Sequence, residues 1–175
     1  KLASGSVGGL GLEDGVFFGV SVSMVGLESR GWPVLGVGAY FDDTGGPERG
    51  AVWLVALEGG TGPSSVSGRV VLKVASGVGG GPGLSDWGRF GRSVVALSRV
   101  VGSGAAAHIL VGAHIDDTGE ENAGAVYLLS LPDVVDSSFS ARLESVSAAV
   151  SSVPALSSAP RADVQTHGVA TVLYA

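Results

Sequence analysis

The chain has 175 residues, 16 acidic and 10 basic side chains, a formal net charge of -6 and no cysteine. Its 45% hydrophobic and 15% charged residues exclude an intrinsically disordered protein, which combines low hydrophobicity with high net charge. Its scattered basic residues exclude nucleic acid as a partner, and the absence of an apolar run of about 18 residues excludes a transmembrane segment. Without an amphipathic run of helix length, the composition predicts an all-β protein.

Four short strands separated by Gly-rich turns are predicted in the first part of the chain, near residues 1–4, 17–25, 34–41 and 50–57. In the second strand, Val22 and Met24 alternate with Ser21 and Ser23, which predicts a covered apolar face and a small, polar opposite face. The fourth strand, AVWLVAL, is apolar throughout and is expected to be internal. Residues 66–73 lead into a second unit.

The second unit is a duplication of the first. Residues 1–19 match residues 73–91 at 11 of 19 positions, and residues 37–57 match residues 111–131 at 12 of 21 positions. The two offsets are 72 and 74 residues. A repeat of this kind decides the architecture, so we expect two tandem four-stranded units. The predicted organisation is a first repeat over 1–72, a second repeat over 73–136 and a C-terminal extension over 137–175.

Short motifs recur at equivalent places in both units. Phe-Gly pairs stand at 18–19 and 90–91, and VGAY at 37–40 corresponds to VGAH at 111–114. These motifs and their spacing resemble the FG-GAP repeat, which is found in the β-propeller of integrin α chains and in many secreted or surface proteins. The resemblance implies propeller-blade-like units and an extracellular or cell-surface location. The structural motif residues it selects are Phe18, Gly19, Gly38, Gly50, Trp53, Phe90, Gly91, Gly112, Gly124 and Tyr127.

Members of that family commonly carry an Asp-rich calcium loop before the third strand. The corresponding segments here, LESRGWP at 27–33 and LSRVVGSGAAAH at 97–108, lack the carboxylates. The calcium ligands of the family therefore cannot be transferred to this chain. Trp53 and Tyr127 occupy equivalent positions and are expected to be core anchors, because an aromatic ring contributes a large apolar burial to a small repeat.

Acidic loops follow the third strand of each unit and are the strongest candidates for chemistry. Asp42 and Asp43 in the first unit, and Asp116 and Asp117 in the second, belong to identical DDTG sequences. Such a sequence favours a turn in which aspartate side chains bond nearby backbone amides. The weaker alternatives are a calcium site and an acid/base carboxylate pair. Because an enzyme rarely needs its site twice, we expect no catalytic residue and no cofactor.

The second unit also contains histidines and arginines that could form a site. His108 and His114 lie at even spacing near Asp116, which would suit zinc, but no third ligand is evident and solvated or strand-end histidines are expected. A local cluster of basic residues, opposed by Asp86, is expected to be a solvated face; it comprises Arg89, Arg92 and Arg99.

The C-terminal extension differs from the repeats. Residues 137–158 contain nine serines in 22 positions, which is typical of a flexible linker or of a stalk with glycans on Ser and Thr. Residues 168–175 predict a strand with two apolar faces, which Val169, Thr171 and Leu173 form on one side and Val172 and Tyr174 on the other. We expect this strand to fill an open sheet edge in a neighbouring copy, with an edge of its own chain as the alternative.

Two units leave open edges, since propellers normally need four to eight blades. The sequence therefore predicts a non-enzymatic extracellular structural or adhesive protein. Copies would form a homo-oligomer or homopolymer, as a filament or surface layer, by edge-strand complementation. The alternative is a ligand-binding propeller fragment or an accessory domain of a larger secreted protein or hydrolase. Because the first residue is Lys1, a processed or partial product is expected.

Overall fold

The computed structural model of the protein describes residues 1–4, 7–8, 10–28, 30–59, 66–97, 107–131, 164–167 and 170–173. All regular secondary structure in these ranges is β-strand, which confirms the all-β class for the described part of the chain. The strands are β1 (Val7–Gly8), β2 (Val22–Leu27), β3 (Pro33–Ala39), β4 (Ala51–Gly59), β5 (Val66–Ala75), β6 (Phe90–Leu97), β7 (Ala107–Ala113), β8 (Ala125–Leu131), β9 (Val164–His167) and β10 (Ala170–Leu173). A search of the described residues finds no helix long and apolar enough to cross a membrane.

The first sheet has the strand order β1-β5-β4-β3-β2, with β2 to β5 antiparallel and β1 parallel to β5. As predicted, the apolar strand β4 is internal, and its first six residues are buried. The strand expected at 1–4 is absent, and β5 completes the sheet instead of only leading into the second unit. The physical reason is the ten-residue length of this segment, which contains five Val and Leu residues and forms nine backbone pairings with β4.

The strand β2 begins at Val22, five residues later than the sequence predicts. Phe17 and Gly19 have φ angles of 52° and 94°, in the left-handed region that an extended strand does not use. The Phe-Gly motif is therefore a turn that precedes the strand. Gly19 is the residue type that adopts this φ without a Cβ penalty.

The second sheet has the strand order β6-β7-β8-β10-β9. Strands β6, β7 and β8 correspond in sequence to β2, β3 and β4, and β10 lies beside β8 where β5 lies beside β4. The predicted C-terminal strand is present over 170–173, and it pairs antiparallel with β8 of its own chain. The structure thus has the intramolecular arrangement. Val169, Tyr174 and the Ser-rich stretch 137–158 lie outside the described residues.

The backbone itself repeats between the two units. Five pairs of residues, each offset by 72 or 74 positions, have positive φ in both copies. They are Gly15 with Trp87, Phe17 with Arg89, Gly19 with Gly91, Glu48 with Asn122, and Gly50 with Gly124. Matching turns of this rare kind show that the sequence duplication extends to local conformation.

Two apolar clusters stabilise the fold. The larger one lies between the sheets and joins Val34 and Leu54 of the first sheet to Ile109 and Tyr127 of the second. The smaller one covers the opposite side of the first sheet and includes Trp53. Trp53 and Tyr127, the predicted anchors, are 6% and 1% exposed. Each sheet therefore has one aromatic anchor at the same place.

Candidate functional site at the junction of the two sheets

The Phe-Gly motif of the second unit lies against the Gly-Ala motif of the first. A Cβ at Gly38 would overlap the carbonyl oxygen of Gly91, and a Cβ at Gly50 would overlap the carbonyl oxygen of Phe90. The two backbones approach so closely that only glycine fits at either position. Gly38, Gly50, Phe90 and Gly91 thus meet at one contact between the sheets.

Backbone hydrogen bonds fix the register of this contact. The amides of Trp87, Arg89 and Phe90 donate to the carbonyls of Pro47, Glu48 and Arg49 at 2.8, 3.0 and 2.9 Å. Gly50 follows these three acceptors directly, and it forms an isolated parallel bridge with Phe90. The junction is therefore a short backbone ladder between the loop after β3 and the turn before β6.

The serine face of β2 is the face that the second sheet covers. Ser21 Oγ donates to the carbonyl of Gly91 at 3.1 Å, and Ser23 Oγ accepts from the amide of Ala96 at 2.9 Å. On the opposite face, Val22 and Met24 are 56% and 57% exposed. The sequence prediction of a covered apolar face on β2 is therefore wrong. Small hydroxyl side chains allow β6 to approach, and they pair its polar backbone groups.

Ion pairs flank the junction on its solvent side. Arg49 Nε lies 2.7 Å from Asp86 Oδ1, and Arg89 Nη2 lies 3.0 Å from Glu48 Oε2. The Arg89 guanidinium also lies 4.7 Å from the centre of the Phe41 ring. Arg89 and Asp86 are thus partly exposed inter-unit contacts, whereas Arg92 is exposed as the sequence predicts and Arg99 lies outside the described residues. Because the paired side chains stay partly exposed, each pair contributes only about 0 to 1 kcal/mol.

The two DDTG loops have the same hydrogen bonds. The Thr44 and Thr118 amides donate to Oδ1 of the aspartates two residues before them, Asp42 and Asp116, at 3.0 and 2.9 Å. In a second pair of bonds, the backbone amide of Glu48 donates to Asp43 Oδ1 at 2.7 Å, and the backbone amide of Asn122 donates to Asp117 Oδ1 at 2.6 Å. The turn predicted for DDTG is the conformation that the loops adopt.

Asp42 and Asp116 are buried, at 4% and 0% exposure, but they have different partners. Asp42 Oδ2 forms an ion pair with Lys73 Nζ at 2.8 Å, whereas Asp116 Oδ2 accepts from the Tyr127 hydroxyl at 2.8 Å. The backbone carbonyl of Asp42 also accepts a hydrogen bond from the amide of the junction residue Gly50 at 2.8 Å. The carbonyl of Asp116 accepts in the same way from Gly124, the equivalent of Gly50, at 2.9 Å. The acidic loops therefore position the junction glycines.

Among the described residues, no group of three or more His, Asp or Glu side chains has a geometry that would hold a metal ion. Both carboxylate oxygens of Asp42 and Asp116, and Oδ1 of Asp43 and Asp117, already have protein partners, and calcium would need six to eight oxygen ligands. We therefore expect that excess EDTA leaves the melting temperature within error of the untreated protein. Differential scanning calorimetry with and without added calcium checks this prediction, and a clear fall in melting temperature on chelation would contradict it.

The two histidines do not form a site together. His108 is the second residue of β7, as the strand-end expectation has it, but it is not solvated: it is only 2% exposed, and Nδ1 has no hydrogen-bond partner among the described residues. His114 follows the end of β7 and is exposed. Partial desolvation lowers the pKa of His114, and the nearby Arg89 and Arg92 guanidinium groups lower it further, which favours the neutral imidazole. Zinc ligation gains no support from this arrangement.

The amino-acid sequence alone does not identify Ser21, Ser23 and Arg49 as junction residues. The alternation of small and large residues in β2 was visible, but period-two patterning identifies two faces without saying which one is covered. Arg49 and Asp86 are 37 residues apart, and no local pattern links them. Neither a scan against protein-family models nor a search of curated proteins finds a match to this chain.

Proposed function

We propose that the protein is a non-enzymatic structural protein whose copies assemble into a filament or surface layer by exchanging β-strands at sheet edges. The two sheets are proposed to be FG-GAP-like blades, and the position of Phe90-Gly91 against Gly38 supports that proposal. An extracellular or cell-surface location follows from the same resemblance. The Ser-rich stretch 137–158 is the proposed region for glycans on Ser and Thr.

The observation that carries this proposal is the way in which the second sheet is completed. In the first sheet, β5 follows its partner β4 after the six residues 60–65. In the second sheet, β9 and β10 form an antiparallel pair, and this pair follows β8, the partner of β10, after the 32 residues 132–163. A connection of that length has a contour length of up to about 105 Å, so β10 can reach the same edge on another copy.

Exchange of β10 needs no new contacts. The four backbone pairings of β10 with β8, from Ala170 with Leu129 to Leu173 with Val126, are the same whether both strands belong to one chain or to two. Filling the β8 edge also removes an aggregation-prone row of unpaired amides and carbonyls. The closed chain and the exchanged polymer therefore differ little in contact energy, and protein concentration decides between them.

Deletion of residues 160–175 tests this proposal. We expect the native assembly to be lost and folded, unpolymerised subunits to remain, because the β8 edge then has no donor strand. Size-exclusion chromatography with light scattering and electron microscopy give the assembly state, and circular dichroism gives the β content. Addition of a peptide spanning 164–175 is expected to bind the truncated subunit without restoring the polymer.

A matched pair of point variants at Val172 distinguishes the effect of backbone pairing by β10 from the effect of changing a side chain. Val172→Pro removes a backbone donor from β10 and is expected to act like the deletion, whereas Val172→Thr keeps strand propensity and is expected to assemble. Persistence of the native assembly in the truncated protein would overturn strand exchange. A native protein that stays monomeric at all concentrations would overturn self-assembly itself and would favour a ligand-binding or accessory role.

A further inference from the structure

The two sheets form a stack of two, and its free ends are the faces that the sheets turn away from each other. Equivalents of the residues that form the internal junction lie at these free ends, where several of them are exposed. Val94 on β6 is 5% exposed in the junction, whereas the equivalent Val22 on β2 is 56% exposed. Val52 on β4 is 0% exposed in the junction, whereas the equivalent Val126 on β8 is 45% exposed. Each half of the junction therefore exists a second time without a partner within the described residues.

The free receiving half is on the second sheet. A cleft of about 460 Å³ is lined by Ser93, Gly112, Gly124 and Val126. These residues correspond to Ser21, Gly38, Gly50 and Val52. In the first sheet Ser21, Gly38 and Gly50 contact the Phe90-Gly91 turn, and Val52 belongs to the same apolar cluster as Phe90. The cleft therefore has the residues that fit a Phe-Gly turn.

The free inserting half is on the first sheet. Its turn contains Phe17, Phe18 and Gly19, and the strand that follows presents Val22 and Met24. Phe17 is 58% exposed, and Gly19 has a φ of 94° that matches the 90° of Gly91. The backbone conformation that fits the junction is therefore already formed at the free end.

We propose that copies of this chain stack head to tail, with Phe18-Gly19 of one copy seated against Gly112 and Gly124 of the next. This inference rests on the self-assembly proposed above and names a second contact for it, separate from strand exchange. The contact joins different surfaces of the two copies, so it is heterologous and adds copies without limit unless the rotation closes a ring.

The partner is a second copy because the two kinds of surface involved already fit each other within one chain, at the internal junction. The acceptor carbonyls at 47–49 have equivalents at 121–123, and the donor amides at 87, 89 and 90 have equivalents at 15, 17 and 18. The backbone ladder can therefore form again between copies. Repetition of one packing geometry along a stack is the usual assembly of repeat proteins.

The contact between copies differs from the internal junction in its charges. Arg49 and Glu48 correspond to Ala123 and Asn122, and Arg89 corresponds to Phe17, so neither internal ion pair has an equivalent. His114 lines the same cleft. Arg92 adds a charged residue to this cleft, but without the two internal ion pairs the contact relies mainly on apolar packing, so raising the salt concentration is expected to weaken it only slightly.

Engineered disulfides test the geometry directly, because the chain has no cysteine of its own. Ser23 and Ala96 are in contact in the internal junction, and their equivalents at the free ends are Val95 and Met24. Val95→Cys with Met24→Cys is expected to give a ladder of disulfide-linked multimers on a non-reducing gel. Ser23→Cys with Ala96→Cys is the calibrating control and is expected to crosslink within one chain.

A second control measures random oxidation. Val66 is 65% exposed and lies at the start of β5, three strands away from β2 in the first sheet. The pair Val66→Cys with Met24→Cys is expected to give far less multimer at equal protein concentration. If both double variants form multimers equally fast, the head-to-tail contact is wrong.

A charged residue at the free end of the first sheet distinguishes head-to-tail stacking from strand exchange. Val22→Asp places a carboxylate on an exposed strand far from β10, so the fold is expected to persist. Its dissociation constant for self-association is expected to rise roughly 30-fold or more, as for a central interface residue, whereas Val66→Asp is expected to be neutral. Sedimentation velocity measures both.

The two contacts then give distinct outcomes. Assembly lost in Val22→Asp but kept after deletion of 160–175 supports stacking and overturns strand exchange. The reverse pattern supports strand exchange and overturns stacking. Loss in both variants supports both contacts, and a native protein that never associates overturns both.

Discussion

Alanine at Gly50 is expected to lower the free energy of unfolding by more than about 3 kcal/mol. The φ of 84° strains any residue with a Cβ by about 1 to 2 kcal/mol, and the Cβ would also overlap the Phe90 backbone. Overpacking typically costs a further 1 to 3 kcal/mol or so, and here the obstacle is main chain that moves only if the sheets separate. Chemical denaturation monitored by tryptophan fluorescence measures the change.

Two further alanine variants separate strain from overlap. Gly15 has nearly the same φ, 83°, but a Cβ there would meet nothing within 4 Å, so Gly15→Ala is expected to cost only the strain. At Gly38 the φ is not positive, but a Cβ would overlap the Gly91 carbonyl, so Gly38→Ala is expected to cost only the overlap. If Gly50→Ala were no worse than Gly15→Ala, the close approach of the sheets would be wrong.

Phe90→Ala is expected to destabilise the protein by about 3 to 5 kcal/mol, the range for a large aromatic residue removed from a core. Phe90 is 0% exposed, and its ring lies edge-on to that of Tyr127, with centroids 5.3 Å apart. The vacated volume is enclosed by both sheets, so little relaxation is possible. The same denaturation experiment measures this loss of unfolding free energy. The slope of the unfolding free energy against denaturant concentration shows whether unfolding stays cooperative.

Phe18→Ala is the matched control for this variant. Phe18 occupies the equivalent position, but it lies on the outer side of the first sheet and is only partly buried. We expect a clearly smaller loss, because less apolar area is removed from contact. Equal losses in the two variants would show that the second sheet does not cover Phe90 as described.

The duplication made much of this fold predictable from sequence. Matching blocks placed Trp53 and Tyr127 at equivalent anchors, and the apolar run of β4 indicated a central strand. Glycines of the junction were identified from the repeated motifs, and the DDTG turns from the tendency of aspartate to bond nearby amides.

The pairing of surfaces was not predictable in the same way. A period-two pattern cannot say which face of β2 is covered, and the serine face was covered because small side chains let another backbone approach. Completion of the first sheet by β5 was missed because partner choice between strands depends on tertiary packing and not on either strand alone. The ion pair of Arg49 with Asp86 likewise depends on the stacking of the sheets.

The distance along the chain between β8 and β10 has a consequence for biosynthesis. At about 5 to 20 residues per second, the ribosome adds the 42 residues from 132 to 173 in roughly 2 to 8 s. Hairpins form in microseconds, so β6, β7 and β8 have time to pair before β10 exists. Closing the longer connection also costs about 1.5 kcal/mol more than closing the one between β4 and β5. Each nascent chain therefore passes through seconds in which its β8 edge is available to a finished neighbour, and polysomes that hold several such chains together are where exchanged partners would first meet.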